Sequence, residues 1–200
     1  HASAAVQAYR SNLVGTGIRP VSQHPDEATR KTIQALWQRA VPLLDADGVM
    51  DHYGQQATAV QQMIEAGECF AHLRPSLRPG VPLQVQLLDA DMVDQSYTRA
   101  LPNGAYAIGG IEFNAAGQRA AYYVTPRTPG QLFTTTFPPQ RIPAADMLHL
   151  FAPLAPGQVR GVSWLASVLL RLHEMDQYED AQLTRQKVAA MFAGFLYDAQ

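Results

Sequence analysis

The spacing of apolar residues changes at Gly67, and that change limits the folds open to this chain more than any other feature. Ahead of it, "MDHYGQQATAVQQMIEAG" places Ala57, Val60, Met63 and Ile64 on one helical face, with Gly67 positioned to end the helix in a left-handed conformation. Behind it, "ECFAHLR" and "PLQVQLLD" alternate as strands do, the second with Leu83, Val85 and Leu87 on one side and Gln84 and Gln86 on the other, so one face of that sheet is expected to be polar. "IGGIEFNAAGQRAAYYV" continues the pattern as a hairpin, Asn114 and Gly117 supplying the turn. "MLHLF" gives a last strand, and helical spacing resumes at Ser163. Helices, then strands that pair with near neighbours, then a helix: the order predicts an α+β fold, mainly antiparallel, rather than an alternating α/β one.

The flanking segments fit this frame. Residues 4–14 are weakly helical, "GTGIRPVSQHP" is a loop, and "DEATRKTIQALWQRAV" predicts a helix capped by Asp26 with Ile33, Leu36, Trp37 and Ala40 at helical spacing. "TPRTPGQLFTTTFPPQRIPAAD" shows no regular pattern and reads as a functional or partner-ordered loop, or simply a mobile one. His1-Ala2-Ser3 reads as an expression-tag remnant, leaving 4–200 as one expected domain.

Composition excludes several activities. A net charge of −2, with Lys31 and Lys187 the only lysines among 15 cationic residues, provides no basic excess to hold a phosphate backbone. The single Cys69 forbids an internal disulfide and any multi-cysteine zinc site, and its apolar strand predicts a buried, inert thiol. "VGTGIRP" lacks the third glycine and the following helix of a dinucleotide site, and no lysine stands where a Walker loop needs one. "HEMDQ" carries Gln177 where a zinc-protease helix needs its second histidine, and no "GxSxG" elbow exists. His149 reads as a satisfied strand residue. No catalytic residue, metal or cofactor is assigned.

The segment from Ser163 onward raises a geometric question. Projected at about 100° per residue, Leu165, Val168, Leu169 and Leu172 fall on one side, and Ala181, Val188, Phe192 and Phe195 on nearly the opposite one. Either the helix breaks near Met175, or its second half packs against something different from its first half, such as another subunit. Asp176, Glu179 and Asp180 share one face, and no Lys or Arg stands four residues after any of them, so a partner bringing arginines would be received there.

"SNLVGTGIRP", "GIEFNAAGQRAAYYV", "IPAADMLHLFAPLAPGQVRGVSWLASVLLRL" and "YEDAQLTRQKVAAMFAGF" together resemble the portal proteins of lambda-like tailed bacteriophages over most of the chain, Val6 to Phe195. The resemblance implies a dodecameric ring of identical subunits at one vertex of the capsid, a conduit for DNA packaging and ejection. It implies no enzymatic activity, since the terminase large subunit docks on the ring and carries the phosphate chemistry. It also implies residence in the virion, after assembly in the host cytoplasm, with capsid proteins as further partners. Portal chains of this family continue beyond Gln200, so the segment corresponds to the outer wing, without stem, clip or crown. Gly157, Arg160 and Gly161 match the family's turn, and Trp164 and Leu165 match residues that start the following helix. The resemblance makes the face carrying Val188, Phe192 and Phe195 an expected subunit interface, with Asp176, Glu179 and Asp180 at its edge, while Leu165, Val168 and Leu172 are expected to pack on this chain's own sheet. Two other classes stay open on the residues alone: a small-molecule-binding domain with a pocket over the polar sheet face, and an adaptor that binds protein through the Pro/Thr-rich loop.

Overall fold

The computed structural model describes residues 2–76, 78–126 and 138–192. His1, Phe195 and the middle of the Pro/Thr-rich loop lie outside the described residues.

Three helices come first: α1 (Ala2–Leu13), α2 (Glu27–Ala40) and α3 (His52–Glu65). Asp26 caps α2 by accepting the Thr29 N–H at 2.7 Å, and Asp51 caps α3 by accepting the Gly54 N–H at 2.7 Å. Gly67 follows α3 with φ +91°, a conformation costly for other residues, and turns the chain into the first strand.

Among the described residues eight strands form two antiparallel sheets. β1 (Glu68–Pro75), β2 (Leu83–Leu88) and β8 (Met147–Phe151) make one, in the order β2-β1-β8, with Phe70 opposite both Leu88 and His149. β3 (Arg99–Ala100), β4 (Tyr106–Ile108), β5 (Ile111–Phe113), β6 (Arg119–Val124) and β7 (Gln140–Pro143) make the other, in chain order. The expected hairpin is β5-β6: Asn114 Oδ1 accepts the N–H groups of Ala116 and Gln118, and Gly117 has φ +76°. Phe70, Leu88, Val93, Ile111, Tyr122, Val124, Ile142 and Met147 join the two sheets through a shared core. Ile64 of α3 and Cys69 of β1 are fully buried. Burial pushes the Cys69 thiol up to about 12, which makes it inert.

Three expectations are corrected. The end of the Pro/Thr-rich stretch is β7, whose Ile142 enters the core; as an edge strand it tolerates Pro143 at its end. On β2 the face carrying Gln84 is not an open polar one: Gln84 and Leu88 are buried while Leu83 is 40% exposed, and the Gln84 amide donates to the carbonyls of Leu43 and Asp45 at 3.2 and 3.3 Å. That loop needs donors more than it needs apolar cover. Finally, the last helix begins at Leu169, not at Ser163, and α4 (Leu169–Met191) is continuous, with no break near Met175. Residues 164–168 are turns, since the Ala166 and Val168 N–H groups reach back only three residues, to Ser163 and Leu165.

Candidate subunit interface

The position of α4 is set by a buried charge cluster that the sequence did not disclose. Glu68 opens β1 with its side chain 1% exposed. Its Oε1 accepts from Arg160 Nε at 2.7 Å, and its Oε2 accepts from the Gly161 N–H at 2.7 Å and from His149 Nε2 at 2.8 Å. Arg119 of β6 lies 2.7 Å from the other imidazole nitrogen, Nδ1. A guanidinium can only donate, so Nδ1 accepts, Nε2 carries the proton, and the ring is neutral. Phe70 and Phe151 stack on the two sides of that ring, with centroids 4.3 and 4.4 Å away.

Arg160 completes the cluster. Besides Glu68 it donates to the carbonyls of Val93 (2.9 Å), Gly109 (2.6 Å) and Ala90 (3.0 Å), joining the segment after β8 to both sheets. Burial alone would raise the Glu68 carboxyl, but donors from His149, Arg160 and Gly161 outweigh it and hold the group below its ordinary range. Burial lowers His149, and the neighbouring Arg119 and Arg160 add to that, against the pull of Glu68.

Glycine is required at two touching points beside the cluster. A Cβ on Gly161 would lie 2.2 Å from the Gly67 carbonyl oxygen, and one on Gly67 would lie 2.2 Å from the Val162 carbonyl carbon. Gly157 stands in open space, and its φ of +78° is what calls for glycine. Downstream, Ser163 Oγ and the Trp164 N–H both donate to the Ile64 carbonyl, at 3.1 and 3.2 Å, closing the C-terminal end of α3. Trp164 meets Tyr9 of α1 edge to face at 5.7 Å. Trp164 and Leu165 thus anchor the turns ahead of α4 rather than its first helical residues.

From this anchor α4 runs 23 residues without burying one. The expectation that its first half packs on the chain's own sheet fails: Val168 is 41% and Leu169 59% exposed, with Leu165 and Leu172 half-buried. The Ser163 and Trp164 bonds to the end of α3 hold the chain at that edge, beside α1. Val188 is 47% and Phe192 81% exposed. Asp176, Glu179 and Asp180 lie together on one exposed face.

What brings Arg160 and Gly161 together with Glu68, His149 and Arg119 is a closed network of hydrogen bonds and ion pairs, and Gly157 stands apart from it. Both oxygens of Glu68, every guanidinium nitrogen of Arg160 and both ring nitrogens of His149 are bonded within the protein. Among the described residues no group of His, Cys, Asp and Glu is arranged to hold a metal ion, and no helix is long and apolar enough to cross a membrane. A second pairing ties the outer sheet, where Arg141 of β7 donates twice to Glu112 of β5, at 2.8 and 2.7 Å, and Tyr123 of β6 donates at 2.8 Å. The signal for Glu68 was an acid placed next to Cys69 in an apolar strand, where a charge needs a partner.

A family model described as phage portal protein, lambda family, matches residues 1–200. The probable portal protein of Halomonas phage phiHAP-1 is 29% identical over 113 residues, 56% of this chain and 22% of that protein. The portal protein of Escherichia phage N15 is 31% identical over 88 residues, 42% of this chain and 17% of its own. Portal protein B of Escherichia phage lambda is 32% identical over 88 residues, 42% of this chain and 16% of its own. These alignments span less than a quarter of each relative's length. With its two sheets fixed by buried charge and a long helix left uncovered, the chain belongs to the lambda family of phage portal proteins.

Proposed function

We infer that this chain is a wing-like wall segment, residues 4–200 acting as one unit, of a homo-oligomeric portal ring at the capsid vertex. The ring is a dodecamer through which DNA enters and leaves the virion. Stem, clip and crown come from other portal sequence, and terminase and capsid proteins engage mainly there. The chain itself performs no catalysis. Its net charge of −2 suits a wall along which DNA slides without sequence-specific contact.

The observation that carries this reading is α4, 23 residues long with none buried. A helix draws most of its stability from packing an apolar face, and Leu170, Met191 and Phe192, 78%, 82% and 81% exposed, have no such packing in one subunit. A neighbouring subunit over Val188, Phe192 and Phe195, with Asp176, Glu179 and Asp180 at the rim, supplies it. In the full-length portal chain, Phe192→Ala should leave the melting temperature of the subunit unchanged and weaken ring formation by about 3 kcal/mol per contact. Ile64→Ala, in the core, should lower the melting temperature instead. Light scattering and electron microscopy read the outcome, and rings of wild-type yield from Phe192→Ala would refute the interface.

A further inference from the structure

The sequence holds three asparagines, Asn12, Asn103 and Asn114, and the fold treats them differently. Asn12 lies inside α1, where its Nδ2 donates to the Ala8 carbonyl at 2.8 Å. Asn114 is held at both ends of its amide: Oδ1 accepts the two N–H groups of its own turn, and Nδ2 donates to Gln118 Oε1 at 3.1 Å. Asn103 is exposed, and its side chain makes no hydrogen bond among the described residues. Its backbone has φ 60° and ψ 29°, which makes it the one non-glycine residue of positive φ among them. Gly104 follows, with no side chain to shield its nitrogen, whereas Leu13 and Ala115 follow the other two.

The turn Pro102–Gly104 joins β3 to β4 at the edge of the larger sheet. It closes through two hydrogen bonds, from the Ala105 N–H to the Pro102 carbonyl at 3.2 Å and from the Leu101 N–H to the Ala105 carbonyl at 2.9 Å. β3 itself is two residues long, both exposed, with β4 as its single neighbour in the sheet. So short a pairing at an exposed edge opens at little free-energy cost, which lets ψ of Asn103 swing away from its turn value and bring the Gly104 nitrogen alongside Cγ. The side chain that must meet that nitrogen has no bond to give up.

We propose that Asn103 is a site of self-modification, converting to aspartate and isoaspartate through a cyclic imide with Gly104. The Gly104 amide nitrogen gives its proton to solvent base and bonds to Cγ; the Cγ–Nδ2 bond breaks, and Nδ2 takes up a proton and leaves as ammonia. Water then adds to one of the two imide carbonyls. Opening at Cγ leaves aspartate, and opening at the backbone carbonyl leaves isoaspartate, with the main chain rerouted through Cβ and Cγ. Nothing is oxidised or reduced, and water is the one co-reactant. Either product puts a negative charge on a hairpin tip that was neutral. Isoaspartate also lengthens the main chain between Leu101 and Ala105, so the bond that closes the turn is lost with the β3 pairing behind it. This chemistry is independent of ring formation.

The test incubates the full-length portal chain in mildly alkaline buffer, with melting curves recorded alongside to establish that it stays folded, and follows the peptide carrying each asparagine by mass spectrometry. The Asn103 peptide should gain about 1 Da and split into aspartate and isoaspartate forms, while the Asn12 and Asn114 peptides keep their mass over the same period. The rate should rise about tenfold per pH unit, as the fraction of deprotonated amide nitrogen does. It should also stay within about tenfold of the rate in a short free peptide of the same sequence, because the turn opens readily. Asn103→Gln should abolish the gain over that period, since a larger ring would have to close. An Asn103 peptide that keeps its mass, that gains it only as aspartate, or that reacts more than about tenfold slower than the free peptide would overturn the proposal. Asn12 or Asn114 reacting as fast as Asn103 would overturn it as well.

Discussion

Glu68 and His149 give the subunit a defined response to acid. The His149 imidazole is neutral when folded and its affinity for protons is lowered by burial, so below about pH 6.5 the unfolded chain takes up more protons than the native one. Stability therefore rises with pH through that range and is lost on acidification. Glu68 is also held below its ordinary range, and its contribution is lost at lower pH still, as the native carboxylate is finally protonated. Melting temperature measured against pH should fall in two stages, and His149→Gln should shrink the upper one, leaving the part due to His72, whose proton affinity burial also lowers; a single stage near the carboxylate range in wild type would show that His149 does not titrate on unfolding. At Gly161 the effect is steric. Its missing Cβ would sit 2.2 Å from a backbone oxygen that no side-chain rotation can relieve. Gly161→Ala should cost about 3 kcal/mol or more, read as a large drop in denaturant midpoint, whereas an unchanged midpoint would mean the two backbones separate freely. The glycines and Arg160 could be picked out of the sequence, but their acid could not. Glu68 lies 92 residues from Arg160, and nothing local to either connects them.

Individual elements were legible where local chemistry decides them and opaque where a distant neighbour does. The hairpin turn at Asn114–Gly117 and the caps at Asp26 and Gly67 depend on residues within one turn, and they form as read. β2 was assigned correctly as a strand, but the cover over its Gln84 face was not foreseen. Alternation reveals two faces, but which one is covered depends on the loop at Leu43 and Asp45, 41 and 39 residues away. Gln84→Leu keeps the volume and removes the donor, leaving two carbonyls in a buried site short of a partner. The expected loss is about 1 to 3 kcal/mol by chemical denaturation, and a gain in stability would mean water enters to replace the amide. α4 shows the same limit from the other side. Its apolar positions announced a need for cover, and the sequence assigned half of that cover to the chain's own sheet. The bonds from Ser163 and Trp164 to the end of α3 decided otherwise.

At the scale of the whole molecule, the two sheets and the segment leading to α4 meet at a single junction. Glu68 sits there with residues from β6, β8 and the segment beyond, so the junction ties together parts of the chain that are remote in sequence. The mechanical consequence concerns load. α4 is a beam of about 34 Å fixed at one end. A sideways force near Met191 acts through that length as torque on the turns at 164–168, where the principal ties to the helical layer are two hydrogen bonds to one carbonyl. Behind those turns the Arg160 and Glu68 contacts are several, charged and enclosed, so they yield later. A chain built this way is expected to bend at the root of α4 before its sheets lose their shape, so load on the helix is taken up at the turns rather than in the core.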